Sequence, residues 1–403
     1  MAWLPLPPLV DHHCHGVVRG ELDARSFEGY LTESDVPAAP GTTFFDTQAG
    51  FAVRRWCPPL LGLEPHCPPA AYLARRRELG PYKSRRALLR GTGIGAYLVD
   101  TGLPGDLTDL DELAGAGGGT AREIVRLETL AERIADGLMP EGSSRSSSGG
   151  SSRGRSSGAA DAFAADAFAA DAFVAGVEEA VRAAARTAVG FKSIAAYRHG
   201  LALAPEPPAP HEVHAAAADW LAGRRAGGRV ADPVLLRHLL WLAAATGLPL
   251  QLHTGFGDPD LRLDRADPIL LTDFIRATAG SDVSLVLLHG YPYHRQAAYL
   301  ASVFPHVYAD VGLSLTHTGT RAEAVLAEFL ELAPFGKLLF STDGYGLPEL
   351  YVVGAELFRT ALRALLGRWV EEGAWSAPDA ERVAALIAAR NAHRVYGLGA
   401  ARG

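Results

Sequence analysis

The chain has 403 residues, a formal net charge of −7 at pH 7 and 48% hydrophobic residues. This length fits one large α/β domain with insertions, and the apolar fraction is enough to bury a sizeable core. The acidic balance argues against a nucleic-acid partner. No stretch approaches the roughly 18 apolar residues of a membrane span, and three cysteines are too few for a disulfide framework. We therefore expect one cytoplasmic domain over residues 1–403, without a membrane partner.

Near its start the chain carries a short apolar run followed by three histidines, in the sequence LVDHHCHG. Alternate side chains of a strand point to opposite faces, so Asp11, His13 and His15 are expected on one face and His12 and Cys14 on the other. Two imidazoles spaced i, i+2 at a strand end can converge on a metal ion. The alternative is a polar strand end whose histidines hydrogen-bond to nearby loops.

A helical insertion is predicted directly after this strand, over residues 17–90. The segment YLARRRELGPYKSRRALLRGTG within it predicts helices that break at a Gly-Pro pair. Apolar runs near residues 95 and 124 then predict the next two strands.

Residues 142–175 form a second, low-complexity insertion. The tract GSSRSSSGGSSRGRSSG is expected to be a flexible, solvated loop. Three AADAF repeats follow, with Phe163, Phe168 and Phe173 spaced five apart. On a helix this spacing rotates each ring by about 140 degrees, so the three cannot share one core stripe. We interpret the repeats as a helix extension, and a hydrophobic docking site is the alternative.

From residue 188 onward, strand and helix signals alternate regularly. Counting from the start of the chain, there are eight strand candidates, near residues 9, 95, 124, 189, 249, 284, 307 and 338. Alternating units of this kind form a parallel sheet with right-handed crossovers. Eight of them predict a (β/α)8 TIM barrel.

Ionisable residues end several of these apolar runs, where burial is costly unless the residue is paired or bound to a metal. They are Lys192, His253, His289 and Asp343. In a TIM barrel the C-terminal ends of the strands converge across the mouth and carry the functional side chains. His12 and Cys14 are then expected to face the surrounding helices and to serve packing.

Four of the strand-end residues supply three nitrogens and one oxygen, a set suited to zinc or a similar divalent ion. They are His13, His15, His253 and Asp343. The alternative is a group of core histidines that are satisfied by hydrogen bonds.

The order of these residues resembles the amidohydrolase superfamily of metal-dependent hydrolases: HxH on strand one, Lys on four, His on five, His on six and Asp on eight. The phrases GFKSIAAYRHGL, PLQLHTGFGD, VLLHGYPYHR, STDGYGLPE and NAHRVYGL resemble its amidohydrolase-2 branch. They are especially similar to the amidohydrolase domain that is fused to a glutamine synthetase-like domain in fungal FluG and plant nodulin-related proteins. The resemblance covers nearly the whole chain except residues 142–175.

The resemblance implies that His13, His15, His253 and Asp343 bind a metal, which lowers the pKa of bound water from about 16 toward 7. It also implies that Asp343 takes the proton of that water and returns it to the leaving group. His289 would either bind a second metal or polarise the substrate carbonyl.

Lys192 decides between one ion and two. In binuclear relatives the strand-four lysine is carbamylated and bridges two metals, whereas several amidohydrolase-2 members use one metal and no carbamate. Without the carbamate, Lys192 would be a protonated contact of the substrate, and the alternative to both roles is a lysine that snorkels past the barrel rim.

Substrate recognition is assigned to arginines, because a guanidinium can clamp a carboxylate with two parallel hydrogen bonds. Arg198 follows Lys192 closely, and Arg295 follows GYPYH. Arg126 and Glu128 alternate onto one strand face and are expected to point into the mouth. The loop TGFGDPDLRLDRADP is either a mobile lid or an ordinary charged loop.

The function implied by the resemblance is hydrolysis of a C–N amide bond in a small, carboxylate-bearing molecule. The link to glutamine synthetase-like proteins suggests a γ-glutamyl amide. The alternatives are a decarboxylase or uronate-isomerase-like member of the same scaffold, and a non-catalytic barrel with a retained metal site. Assembly into a homo-oligomer is left open.

Overall fold

The computed structural model describes residues 4–138, 158–224 and 227–399. The Ser/Gly/Arg tract that we expect to be a solvated loop lies outside these ranges, except for its last residue, Gly158. Within them, no helix has both the length and the apolar character needed to cross a membrane.

Eight parallel strands follow one another around a single sheet in sequence order. They are β1 (Leu9–Cys14), β2 (Ile94–Asp100), β3 (Thr120–Arg126), β4 (Gly190–Ser193), β5 (Leu250–Thr254), β6 (Leu285–His289), β7 (Val307–Asp310) and β8 (Leu338–Leu339). The main-chain nitrogen of His12 donates to the oxygen of Phe340, just beyond β8, at 3.2 Å. The last strand therefore returns to the first, and the predicted TIM barrel is confirmed.

The helical insertion expected after the first strand is present. It contains α1 (Ala24–Gly29), α2 (Gln48–Leu60), α3 (Pro69–Leu79) and α4 (Pro81–Gly91). The last two helices meet at Gly80, whose φ of 78° turns the chain just before Pro81. The predicted break at Gly-Pro is confirmed, because glycine tolerates this φ and proline suits the first turn of a helix.

The remaining helices surround the barrel or extend it at the C-terminal end. They are α5 (Leu110–Gly117), α6 (Leu127–Leu138), α7 (Gly158–Ala184), α8 (Ala195–Arg198), α9 (Pro210–Gly223), α10 (Pro233–Ala244), α11 (Thr272–Ala277), α12 (His294–Val303), α13 (Gly312–Thr318), α14 (Ala322–Phe329), α15 (Pro348–Glu371), α16 (Ala377–Ala385) and α17 (Asn391–Val395). The larger core lies between strands and helices, and a smaller one fills the barrel interior.

Strand β1 departs from simple alternation, and one prediction fails for that reason. Its pairing with β2 shifts register between Asp11 and Cys14. The prediction that the His12 side chain faces the surrounding helices is therefore wrong. It stacks on Tyr396 at 5.8 Å between ring centroids, and Tyr396 belongs to the interior core. Cys14 does lie in the core between strands and helices, as expected.

The AADAF repeats lie in the first half of α7. Phe173 is 2% exposed and packs on Trp220 of α9 at 5.4 Å between ring centroids, whereas Phe168 is 76% exposed. These two rings lie on different faces of the helix, which agrees with the prediction from their five-residue spacing. The Phe163 side chain lies outside the described part. The last repeat is thus an integral part of the helical layer.

The two phenylalanines offer a matched test of this packing. We expect Phe173→Ala to destabilise the protein by about 3–5 kcal/mol, because it leaves a cavity in the core. Phe168→Ala should cost less than about 0.5 kcal/mol, as is usual at exposed sites. The midpoint of denaturant unfolding, followed by circular dichroism, measures both. Equal midpoints for the two variants would contradict the packing of α7 described above.

Candidate metal centre

The carboxyl ends of the strands open into a cavity of about 1110 Å³. Six of the residues singled out in the sequence line it together: His13, His15, Lys192, His253, His289 and Asp343. Arg198 lines it as well. Arg295 does not: its side chain is 55% exposed and pairs with Glu331 at 3.0 Å on the outer surface. The structure therefore gives no support to Arg295 as a substrate contact.

His13 turns a nitrogen lone pair toward the cavity. Its Nδ1 lies 2.8 Å from Oε1 of Gln251, and the Gln251 amide is oriented by donation to the His12 carbonyl (2.8 Å) and the Tyr396 hydroxyl (2.9 Å). An amide oxygen only accepts, so the proton of His13 belongs on Nδ1. Burial lowers the pKa of His13 to about 3. The ring is neutral, so its Nε2 carries a lone pair, which faces Lys192 and Asp343.

His15 is arranged in the same way. Its Nδ1 lies 3.0 Å from the main-chain oxygen of Asp100, which can only accept, so in the tautomer that this contact favours the proton is on Nδ1 and the lone pair is on Nε2. The Nε2 atoms of His13 and His15 lie 3.1 and 3.3 Å from Oδ1 of Asp343. That oxygen is buried and makes no hydrogen bond. Three lone pairs thus converge in a buried place, an arrangement that fits a divalent ion.

His289 extends this centre. Within the described ranges, two groups of three residues have ligand atoms that all lie within 4.8 Å of one another: His13, His289 and Asp343, and His13, His15 and Asp100. His289 Nε2 is 3.8 Å from Oδ2 of Asp343, and its Nδ1 is buried without a hydrogen-bond partner. Burial lowers the pKa of His289.

His253 stands slightly apart. Its ring lies 4.7 Å from that of His289, measured between centroids, but it belongs to neither group of close ligand atoms. Its Nε2 lies 3.2 Å from the main-chain oxygen of Phe256, which leaves Nδ1 as the lone-pair nitrogen of the neutral ring. Burial, together with His289 and Lys192, holds the pKa of His253 well below its usual range. Its role as a metal ligand stays a prediction.

Backbone strain is concentrated at this centre. Among the described residues, three that are not glycine have positive φ, and two of them are His289 (69°) and Asp343 (50°). Such conformations persist where the surroundings fix them. The main-chain nitrogen of His289 donates to Asp310 (2.6 Å), and that of Asp343 donates to the His13 carbonyl (3.1 Å). Both side chains are therefore aimed by hydrogen bonds to neighbouring strands.

Lys192 completes the inner part of the cavity. Its Nζ lies 3.3 Å from Nε2 of His13. Burial lowers the pKa of Lys192 to about 8. The amine therefore lies directly beside the convergent atoms of His13 and Asp343.

Three residues of the centre were missed in the sequence. Gln251 lies two positions before His253 on β5, so the period of two that selects His253 also selects Gln251. Asp100 and Asp310 end the apolar runs YLVD and VYAD, which is the same signal that identifies Asp343. A search for every polar residue at a strand end would have found Asp100 and Asp310, and the period of two along β5 would have found Gln251.

Arg126 and Glu128, which were both expected to point into the mouth, lie in different places: Arg126 ends β3 and Glu128 belongs to α6. Arg126 lines the cavity. Glu128 is buried outside it and accepts hydrogen bonds from the Ser193 hydroxyl (2.6 Å) and the main-chain nitrogen of Ile194 (3.0 Å). It therefore fixes the end of β4.

The outer wall of the cavity is built from the helical insertion and from loops that follow the strands. The helical insertion supplies Tyr30 and Glu33, and the loop after His253 supplies Asp258 and Asp260. Glu33 pairs with His317 at 3.3 Å, across the opening. Arg133 and Arg229 line the cavity as well, so it carries charged groups of both signs.

Comparison with known sequences places the chain in a family. The family model described as Amidohydrolase, Amidohydro_2, matches residues 148–398, more than half of the chain. Protein fluG of Emericella nidulans is 37% identical over 223 residues, which are 52% of this chain and 26% of that protein. The chain thus spans about a quarter of the length of this curated relative.

Solved structures agree on the fold. A protein from Lactobacillus casei ATCC 334, provisionally described as a metal-dependent hydrolase, is 28% identical with a TM-score of 0.75, over 97% of this chain and 95% of that one. A glucuronate isomerase from Caulobacter crescentus has a TM-score of 0.60 at 15% identity, over 100% of this chain and 93% of that one. The latter likeness concerns the fold alone. With its barrel, its convergent strand-end histidines and its match to the family model, the chain belongs to the amidohydrolase family.

Proposed function

We propose that this protein is a metal-dependent hydrolase that cleaves the C–N bond of an amide in a small, carboxylate-bearing substrate. The observation that carries the proposal is the convergence of lone pairs from His13, His15 and Asp343 at a buried point of a large cavity. The similarity to domains fused to glutamine synthetase-like proteins supports a γ-glutamyl amide as the substrate. We propose zinc as the ion, because the donor set is rich in imidazole.

A divalent ion held by His13, His15 and Asp343 would polarise the scissile carbonyl and lower the pKa of water. Burial raises the pKa of Asp343, but interactions with His289 and His13 outweigh burial when these rings direct a proton at the carboxylate, a place that a bound cation would take, and the pKa then lies well below its usual range. The ionised carboxylate can therefore accept a proton from the attacking water and return it to the leaving nitrogen. His289, on the Oδ2 side of Asp343, is positioned to contact the carbonyl oxygen of the substrate.

Lys192 retains the two roles that the sequence leaves open. As a carbamate it would bridge two ions, and as an amine it would contact the substrate. The number of ions per chain separates these roles. Two ions that fall to one or none in Lys192→Ala identify a bridge, and one ion that is unaffected identifies a substrate contact.

We expect the purified protein to release p-nitroaniline from γ-glutamyl-p-nitroanilide, to lose this activity on chelation and to regain it with Zn²⁺. Asp343→Asn should lower kcat at least about 100-fold, because the amide cannot accept the proton of water. Asp273→Asn, the same change at an exposed ion pair with Arg276, serves as the control. Decarboxylation or isomerisation of a uronate, with no hydrolysis of any amide tested, would instead establish the non-hydrolytic alternative.

Gln251 offers a test of the metal centre that removes no ligand. Gln251→Leu deletes the acceptor that keeps the proton of His13 on Nδ1, so we expect zinc affinity to fall about 10- to 100-fold. Competition with a chromophoric chelator measures the affinity. Gln48→Leu removes an amide that bonds Thr320 outside the barrel and should change nothing. An unaltered affinity in Gln251→Leu would show that the orientation of His13 does not matter for binding.

A further inference from the structure

Arg126 is held rigidly in the wall of the cavity. It ends β3, in register with Lys192 on β4. Its Nε and Nη2 both donate to Oδ2 of Asp100, at 2.9 and 2.6 Å, while Oδ1 of Asp100 accepts from the main-chain nitrogen of Gly102 at 2.8 Å. A Cβ on Gly102 would lie 2.5 Å from Cβ of Arg126, so the arginine stem crosses this glycine directly. Little freedom remains in the guanidinium.

One edge of that guanidinium is left for a ligand. Within the described ranges, Nη1 of Arg126 makes no hydrogen bond and is not a fully buried atom, while the side chain lines the cavity. Burial lowers the pKa of Arg126, but the interaction with Asp100 raises this pKa by more than burial lowers it. The guanidinium therefore stays protonated. A fixed cation with unused N–H groups is a site for an anionic oxygen.

Of the two arginines chosen from the sequence, the one that lies at the cavity, Arg198, is less suited to this task. Arg198 also lines the cavity, but its Nη2 pairs with Glu132 at 3.0 Å, and its Nε and Nη1 are enclosed by protein without a hydrogen bond. Those two atoms are closed to a ligand. Arg126 presents the open edge that Arg198 lacks.

We infer that Arg126 recognises the carboxylate of the substrate and that Asp100 is its positioning residue. The inference rests on the proposed function in so far as that function assumes a carboxylate-bearing substrate. The same Asp100 also accepts from Nδ1 of His15 through its main-chain oxygen. One residue therefore fixes both a metal ligand and the carboxylate clamp, and the distance between them selects the length of the substrate.

Calorimetric titration of the protein as purified tests this inference. The probes are glutaric acid monoanilide and the same compound with its carboxylate replaced by a carboxamide. We expect the wild-type protein to bind the carboxylate about 10- to 100-fold more tightly than the carboxamide, and Arg126→Met to lose this preference. Arg133→Met, which removes a charge from the cavity wall without touching Asp100, should keep most of it.

Two further variants guard against a general structural effect. The double variant Arg126→Met with Asp100→Asn leaves no unpaired buried charge and should lose the preference just as Arg126→Met does. Asp100→Asn alone should weaken the binding of the carboxylate by a larger factor than the binding of the carboxamide. A purely structural role of Asp100 would weaken both compounds alike.

The outcomes separate this inference from the proposed function. A preference that persists without Arg126, an equal loss in Arg133→Met, or no binding of the carboxylate by the wild-type protein would each overturn the inference. If the amide is hydrolysed but Arg126→Met has no effect on the preference, the clamp is wrong and the hydrolase stands. If the preference depends on Arg126 but no amide is cleaved, the clamp stands and the hydrolase is wrong.

Discussion

Three acceptor atoms that repel one another meet at the mouth of this barrel. They are the Nε2 atoms of His13 and His15 and Oδ1 of Asp343, and the carboxylate oxygen has no hydrogen bond. Burying such a group without compensation is unfavourable, and a cation bound between the three atoms would supply compensation beyond that of Lys192, whose Nζ lies 3.3 Å from Nε2 of His13. The neighbouring strands maintain the arrangement, because Gln251 and Asp100 hold the imidazole protons on the far side of each ring.

A chain of hydrogen bonds lies beneath the centre, and in it the donor and acceptor of each bond are assigned consistently. Gln251 donates to the hydroxyl of Tyr396, which donates to Nδ1 of His12, and Nε2 of His12 donates to Asp310 at 2.7 Å. Asp310 also accepts from the main-chain nitrogen of His289. This chain crosses the barrel interior. It links β1, through His12, and β5, through Gln251, to Tyr396 in the C-terminal segment. A network in which each donor has one acceptor fixes the tautomers before any ligand binds.

The sequence predicts the barrel well because its signals are local. Most strands are apolar runs with an ionisable residue at or near the end, and both features are visible within a few residues. The placement of His12 is different, because the register shift in β1 arises from pairing with β2, far along the chain. A contact between distant parts of the chain also explains why the sequence did not single out Arg126 as a substrate contact. Arg126 is useful to a ligand only because Asp100, on another strand, occupies its other edge.

The most direct test of this account is the divalent metal content per chain, measured by elemental mass spectrometry on protein grown with added zinc. The wild-type protein should carry at least one ion per chain. The variant His13→Ala with His15→Ala, shown to be folded by circular dichroism, should carry almost none. A wild-type protein without stoichiometric metal, or a double variant that keeps its full content, would contradict the account.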